Sequence, residues 1–144
     1  HGEIRLMRVL LDTNVVLDAL LKREPWANAA KLLWEANDDG RITGYLTAST
    51  LTDIFYIARK SSGNDIAHDA IKLCLEAFEI CAVDRSALEE AVALTGIDFE
   101  DNLQIACATL SNVEAIVTRN KVDFAESTIQ VLTPDELLKK LAAK

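Results

Sequence analysis

Short runs that are apolar throughout, separated by amphipathic helical patterns, constrain this fold more than any other feature of the sequence. Such runs are typical of strands buried on both faces of a parallel sheet. Four runs and a weaker fifth predict strands at residues 8–11, 42–46, 80–83, 115–117 and 129–132. A 3.6-residue periodicity predicts helices at residues 15–22, 27–36, 51–60, 65–77, 86–94, 100–110 and 134–141.

Strands that alternate with helices indicate an α/β fold with right-handed crossovers. We expect one three-layer domain over residues 7–141, with a parallel sheet of four or five strands flanked by helices. The chain has 144 residues, half of them hydrophobic, which is the size of one domain with its own core. Because the predicted helices outnumber the strands, some crossovers should contain helical hairpins. Residues 1–6 precede Met7, and we expect them to be an N-terminal extension or a cloning remnant.

The apolar runs and the cysteines argue against membrane and zinc proteins. Every apolar run is far shorter than the roughly 20 residues that a membrane-spanning helix needs. The three cysteines (Cys74, Cys81 and Cys107) show no CxxC spacing and have no histidine nearby. Their odd number and apolar surroundings predict a reduced, cytoplasmic setting without disulfides.

Carboxylates follow the predicted strands. Asp12 ends the first strand in LLDTN, and Asp53 falls in the first turn of the predicted helix after the second, in TASTLTDIFY. The helix in DFEDNLQIACA opens with Asp98 and Asp101. Two further polar residues, Asn120 and Asp123, follow the fourth strand in VTRNKVDF. Ligands of open parallel sheets bind outside the carboxyl ends of the strands, so these residues should lie along one edge.

Like charges gathered in this way repel unless they are exposed, partly protonated or neutralised by a cation. Carboxylate, amide and water oxygens are the ligands that hard cations prefer, which predicts Mg²⁺ or Mn²⁺ rather than zinc. Each acid also has a purely structural explanation. Helix capping is the better one for Asp98, and Asp12 can cap its own helix; Asp53 and Asp101 would suit a helix dipole, and Asp123 would suit the surface. The inference of a metal site rests on the joint occurrence of these acids at one edge of the predicted sheet.

Three segments together resemble the PIN-domain nucleases, which include VapC-type toxins of bacterial toxin–antitoxin pairs. These segments are LLDTNVVLD, DFEDNLQIACA and IVTRNKVDF, in this order within residues 7–138. The resemblance implies that Asp12 and Asp101 are metal-binding aspartates. Asp53 stands where the family usually has glutamate, so its carboxylate is shorter by one methylene.

The resemblance also implies further polar residues around the site. The fourth acid is matched by Asn120 in some members and by Asp123 in others, and we favour Asp123. Asn14 and Thr118 match polar positions that line the family's site. By analogy, Asp12, Asp101 and Asp123 would hold one or two cations.

The reaction implied is hydrolysis of phosphodiester bonds in single-stranded or looped RNA, with a small antitoxin as a further partner. Asp53 would hold a second cation or the attacking water. The net charge of −8 disfavours binding of RNA by charge alone, so a local basic rim is expected. Arg119 and Lys121 are candidate phosphate contacts, although a structural salt bridge explains either equally well. The other rim candidates, each as well explained by solvated surface, are Lys22, Arg23, Arg59 and Lys60.

Two other functions remain open at this stage. A PIN-like domain without activity would bind RNA or protein as a module, and the departures at Asp53 and Asn120 keep that alternative open. A phospho-accepting receiver domain also places acids at strand ends, but it expects an acidic pair after the first strand. A homodimer is open too, since the apolar residues 26–34 would suit an interface as well as the core.

Overall fold

The structure, a computed structural model, describes residues 6–143 and contains one parallel sheet of five strands. The strand order across the sheet is β3-β2-β1-β4-β5, and every neighbouring pair is parallel. The receiver-domain alternative is therefore wrong, because that fold has the order 2-1-3-4-5. The strands are β1 (Met7–Leu11), β2 (Ile42–Thr47), β3 (Glu79–Cys81), β4 (Ala115–Val117) and β5 (Gln130–Leu132).

Seven α-helices cover the two faces of the sheet within the described part of the chain. Three crossovers, those after β1, β2 and β3, each contain a pair of packed helices before the chain returns to the sheet, as the excess of helices predicted. The helices are α1 (Thr13–Leu20), α2 (Ala27–Asp38), α3 (Ala48–Ser62), α4 (Asn64–Ala77), α5 (Arg85–Ala93), α6 (Phe99–Leu110) and α7 (Pro134–Ala142).

Side chains of the central strand point alternately into two hydrophobic cores. Val9 and Leu11 of β1 join the core beneath α1, α2, α4 and α7, whereas Leu10 joins the core beneath α5 and α6. All three are almost fully buried. The predicted three-layer α/β fold is thus confirmed, and its purely apolar strands are explained by helices on both faces.

Helices α5, α6 and α7 each begin at a side chain that caps the helix. Thr133 and Glu136 form a reciprocal capping box at α7, with Pro134 in the first turn. Asp84 caps α5, and Asp98 caps α6 by accepting from the backbone N–H groups of the next turn. These helix starts follow from side-chain oxygens that satisfy otherwise unpaired N–H groups.

Two differences from the sequence predictions affect residues of the predicted site. Helix α3 begins at Ala48, three residues early, because the Thr47 hydroxyl accepts from the Thr50 N–H and caps it there. Asp53 therefore lies in the second turn of α3, and its predicted place in the first turn is wrong. A 3₁₀ helix (Lys121–Phe124) was not predicted, and it contains Asp123.

The apolar patch at residues 26–34 is divided between core and surface. Leu33 is buried and Trp34 packs edge-on against Phe78, with ring centroids 4.7 Å apart. Trp26 and Leu32 remain 42% and 39% exposed. The core explanation holds for the inner residues, and the homodimer stays a prediction.

Two predictions concern the whole chain. The domain limits 7–141 stay a prediction, and of the predicted 1–6 extension only Leu6 falls among the described residues. Within residues 6–143, none of the helices combines the length and the apolar character required to span a bilayer.

Candidate active site

A polar cavity of about 380 Å³ opens at the carboxyl edge of the sheet. It brings together seven of the residues predicted from the sequence, namely Asp12, Asn14, Asp53, Asp98, Asp101, Asn120 and Asp123. Four lining residues were not predicted: Thr13, Ile57, Glu100 and Gln104. Six of the side chains are carboxyl groups, and among residues 6–143 no lysine, arginine or histidine lines the cavity. The strand-end rule thus located the cavity correctly.

Asp12 is fixed by three hydrogen bonds at the junction of β1 and α1. Its Oδ1 accepts from the Thr13 N–H at 2.8 Å and from Gln104 Nε2 at 3.0 Å, while its Oδ2 accepts from Thr118 Oγ1 at 2.8 Å. The Asp12 N–H extends the sheet by donating to the Val117 carbonyl at 2.9 Å. With only 8% of the residue exposed, this carboxylate has one orientation. Asp12 is both a helix cap and a cavity-lining acid.

Gln104 is the lining residue whose role is clearest among those that the sequence analysis missed. It lies one turn after Asp101 on α6, is 1% exposed, and donates to Asp12 through Nε2. A carboxylate oxygen can only accept, so the amide must turn its NH₂ toward Asp12. Gln104 Oε1 is then the one buried side-chain polar atom without a partner among the described residues. The only sequence signal was the i, i+3 spacing from Asp101 in DNLQ.

Among the carboxyl groups that line the cavity, Asp101 has the most strongly raised pKa. Burial raises its pKa from 3.8 to about 7, and repulsion by Asp98, Asp12 and Asp123 adds to the effect. The pKa of Asp53 is also raised, first by burial and then by Asp98. Proton uptake or a bound cation would relieve this repulsion, which makes the cavity a candidate functional site.

The segment after β4 completes the cavity wall. Thr118 is fully buried behind Asp12 and does not line the cavity, but it orients Asp12 through its hydroxyl. The same hydroxyl oxygen accepts from the Asn120 N–H at 3.1 Å. The 3₁₀ helix then starts with the Asp123 N–H donating to the Asn120 carbonyl at 3.1 Å, so both residues line the cavity.

Behind Asn14 lies a buried ion cluster centred on Asp18, which is 1% exposed. Arg119 donates to both Asp18 oxygens, at 2.8 and 3.2 Å, and its guanidinium lies 3.7 Å from the centroid of the Trp26 ring. Arg23 donates to Asp18 at 2.9 Å and to Asn14 Oδ1 at 3.0 Å. This last bond fixes the Asn14 amide so that its NH₂ group stays available to the cavity.

The two predicted phosphate contacts do not line the cavity. The guanidinium of Arg119 is committed to Asp18, and Lys121 Nζ lies 3.1 Å from Glu136 Oε1. Of the two explanations weighed from the sequence, the structure shows the salt bridge for both residues. Phosphate binding by Arg119 is not supported, because contact with substrate would break a buried bidentate pair.

The oxygen atoms of the lining side chains are of the chemical type that a hard divalent cation prefers, but the carboxylates do not converge on one point. Six carboxyl side chains line the cavity together with Gln104, whose amide oxygen has no hydrogen-bond partner among the described residues. However, the described residues contain no group of three or more His, Cys, Asp or Glu side chains arranged to hold a metal ion. Because these carboxylates repel one another, an ion bound among them would draw them together or would use water as additional ligands.

Comparison with known families gives one match, to the family model described as PIN domain, over residues 8–122. That match includes the first two segments on which the sequence resemblance rests, and all of the third except its last two residues, Asp123 and Phe124. No sequence among curated proteins matches the chain significantly.

Solved structures share the fold over most of the chain. A toxin–antitoxin complex from Klebsiella pneumoniae is 26% identical, with a TM-score of 0.68, and covers 88% of this chain and 97% of its own. DNA-bound VapBC from Salmonella typhimurium is 17% identical, with a TM-score of 0.70, covering 90% and 99%. VapC20 from Mycobacterium tuberculosis, a sarcin–ricin loop cleaving toxin, is 15% identical, with a TM-score of 0.69, covering 85% and 98%.

Proposed function

This chain belongs to the PIN-domain family, and on that premise we propose that it is a divalent-metal-dependent endoribonuclease. One observation carries the proposal: six carboxyl groups line a single cavity that no cationic side chain of the described residues enters. The raised pKa of Asp101, about 7, reflects the resulting repulsion. Such an arrangement costs stability unless a cation offsets it, which supports a metal-binding role.

In this proposal, Asp12, Asp101 and Asp123 hold Mg²⁺ or Mn²⁺. A cation bound there would polarise a phosphate oxygen and lower the pKa of a bound water. The chain's own residues supply the rest. Gln104 and Thr118 keep Asp12 in one orientation, Asp53 accepts a hydrogen bond from the attacking water, and the other lining residues have supporting roles.

Among those supporting residues, Asn14 and Asn120 are placed to contact substrate. Arg23 accounts for the Asn14 carbonyl oxygen, so the Asn14 NH₂ group is a hydrogen-bond donor for a phosphate oxygen. The Asn120 side chain lines the cavity and makes no hydrogen bond to any of the described residues, so a substrate could bind it without breaking an existing bond. Asp98 is occupied as the cap of α6 and holds the first turn that contains Asp101.

The substrate and the partner are proposed by analogy with structural relatives. One relative is a sarcin–ricin loop cleaving toxin, which supports a single-stranded or looped RNA as the substrate. Others are toxin–antitoxin complexes, which supports a small antitoxin protein as a partner of this chain. The three cysteines are free and buried, in agreement with a reducing cytoplasmic setting.

A second candidate is a PIN domain that binds RNA or protein without cleaving it. Two observations favour it: Asp53 stands in place of the family's glutamate, and the described carboxylates do not converge to hold an ion. This candidate predicts that Mn²⁺ does not bind to the cavity.

The decisive experiment is incubation with a labelled unstructured RNA in Mg²⁺ or Mn²⁺, with EDTA as one control. Asp101→Asn should abolish cleavage, whereas Asp65→Asn on the exposed start of α4 should cleave like wild type. Equal cleavage by wild type and Asp101→Asn would mean that the activity is a contaminant and would refute the mechanism. Absence of both cleavage and Mn²⁺ binding would favour the inactive module.

A further inference from the structure

One face of helix α3 connects the acidic cavity to an exposed aromatic and basic surface. Asp53, Tyr56, Ile57 and Lys60 follow the i, i+3, i+4, i+7 spacing that places residues along one side of a helix. Asp53 and Ile57 both line the cavity. Tyr56 and Lys60 continue the same side outward, and we call these four residues together with Arg59 the α3 strip.

The aromatic residue of the α3 strip is held in place and remains accessible. Tyr56 is 58% exposed. The Arg59 guanidinium lies 5.4 Å from the centroid of the Tyr56 ring, a cation–π distance, and the Phe55 ring meets it edge-on at 6.3 Å. A ring braced on two sides and open to solvent is a platform on which a nucleic acid base can stack.

The two basic residues of the α3 strip, Arg59 and Lys60, are available to bind a ligand because neither takes part in an ion pair among the described residues. Arg23 and Arg119 pair with Asp18, and Lys121 pairs with Glu136. Among the rim candidates from the sequence, Lys22, Arg59 and Lys60 are exposed and make no ion pair within residues 6–143, and two of these three lie on the α3 strip. A chain with a net charge of −8 needs such local positive charge to hold a polyanion.

The distances along the helix suit a short stretch of single-stranded nucleic acid. Seven residues separate Asp53 from Lys60, which is about 10 Å along a helix that rises 1.5 Å per residue. Nucleotides that stay stacked as in one strand of a duplex, about 3.4 Å apart, would place roughly three of them over that length. A strand whose scissile phosphate lies at the cavity would thus extend over Tyr56 toward Lys60.

We propose that the α3 strip binds the single-stranded RNA next to the bond to be cut, with Tyr56 stacking on a base and Arg59 and Lys60 contacting phosphates. The inference deepens the proposed nuclease function and rests on it for the identity of the substrate. It adds three binding residues that do not line the acidic cavity, namely Tyr56, Arg59 and Lys60. An antitoxin or other protein on the same surface is the alternative that the experiment must exclude.

The test is fluorescence anisotropy of a labelled unstructured RNA oligonucleotide, titrated with the protein in EDTA so that the proposed hydrolysis is off. Tyr56→Ala should weaken binding about tenfold, and Tyr56→Phe should retain wild-type binding, because stacking needs the ring and not the hydroxyl. Salt dependence identifies the phosphate contacts. The double variant Arg59→Ala/Lys60→Ala should reduce the slope of log affinity against log salt by about 1.4, near 0.7 per lost phosphate contact on a single strand.

Arg85→Ala is the control for a change in overall charge, because the Arg85 side chain is 87% exposed on α5, outside the cavity, and its removal makes the net charge more negative by one unit, half the change in the double variant. It should leave both affinity and salt slope unchanged. Unchanged thermal unfolding of each variant would exclude loss of the fold.

Three outcomes would overturn the inference: no RNA binding by wild type, wild-type binding by Tyr56→Ala, or an equal loss in Arg85→Ala. Loss of binding to an antitoxin protein with RNA binding intact would also overturn it and assign the α3 strip to a protein partner. Since binding is measured without metal, the result is independent of cleavage. If the protein cleaves RNA but the α3 strip variants bind RNA as wild type does, the inference alone is refuted. If RNA binding depends on the α3 strip but no RNA is cleaved, the nuclease proposal alone is refuted.

Discussion

Replacing Asp101 by asparagine should stabilise this protein in the absence of metal, and the gain should depend on pH. The folded-state pKa of Asp101, about 7, lies above its ordinary value of 3.8 because of burial and three neighbouring acids. The folded protein therefore binds more protons than the unfolded chain between about pH 4 and pH 7. Wild-type stability should fall as the pH rises through that window, and the cost of the Asp101 charge is complete above it.

The magnitude follows from the same pKa difference. A rise from 3.8 to about 7 corresponds to about 4 kcal/mol if the full interaction applied. Asp101 is only half-buried, so solvent screening reduces the expected cost to about 1–2 kcal/mol. Asparagine keeps the shape and removes the charge. For a domain of this size, the variant should melt about 3–6 °C higher at pH 8 and at nearly the wild-type temperature at pH 4.5.

The assay is thermal unfolding followed by circular dichroism at both pH values, first in EDTA and then with Mn²⁺. A cation that binds the folded cavity should raise the melting temperature of wild type more than that of Asp101→Asn. The reasoning would be refuted by a variant that is less stable than wild type at pH 8, or by an equal gain at pH 4.5 and pH 8. In either case, charge repulsion in the cavity is not what Asp101 contributes.

Three further variants test the contacts around the site. Gln104→Leu removes the amide donor to Asp12 together with an unpartnered buried oxygen, so stability should change by less than about 1 kcal/mol while Mn²⁺ affinity, measured by calorimetry, falls about tenfold. Arg119→Met leaves Asp18 with one arginine and should cost about 3 kcal/mol in urea unfolding; a loss below about 1 kcal/mol would contradict a structural role. Thr133→Ala should cost about 1 kcal/mol by the same measurement, because the α7 cap loses its side-chain acceptor.

The fold was predictable because its signals are local or follow a simple spatial rule. The apolar strands and amphipathic helices appear in the sequence as two different periodicities, which tertiary packing did not override. The boundary of α3 was missed because Thr47 ends β2 and caps the helix at once, leaving no loop between them. Likewise, the 3₁₀ helix at Lys121–Phe124 is too short to show a period.

The carboxylates of the site could be predicted from the sequence, whereas the residues that orient them or form ion pairs behind them could not. Asp12 and Asp123 follow strands whose carboxyl ends must meet at one edge, so their proximity follows from topology. Gln104 carries no charge and looks like any helical residue until its amide is found beside Asp12, 92 positions away. The same limit applies to Arg119, whose partner Asp18 lies 101 positions away, so its salt bridge could only be weighed against a phosphate contact.

The distribution of ion pairs connects the stability of the fold to the proposed chemistry. Arg23 and Arg119 lie close behind the cavity, yet both are held by Asp18 and neither lines the cavity to neutralise its carboxylates. Because these cations are already paired, the repulsion centred on Asp101 persists in the folded protein. It is therefore available as binding energy for a cation that enters from solvent. A mutation that released Arg119 toward the cavity would be expected to lower the pKa of Asp101 and also to weaken Mn²⁺ binding. Both effects have one cause, because the guanidinium would supply the positive charge that the cation otherwise brings.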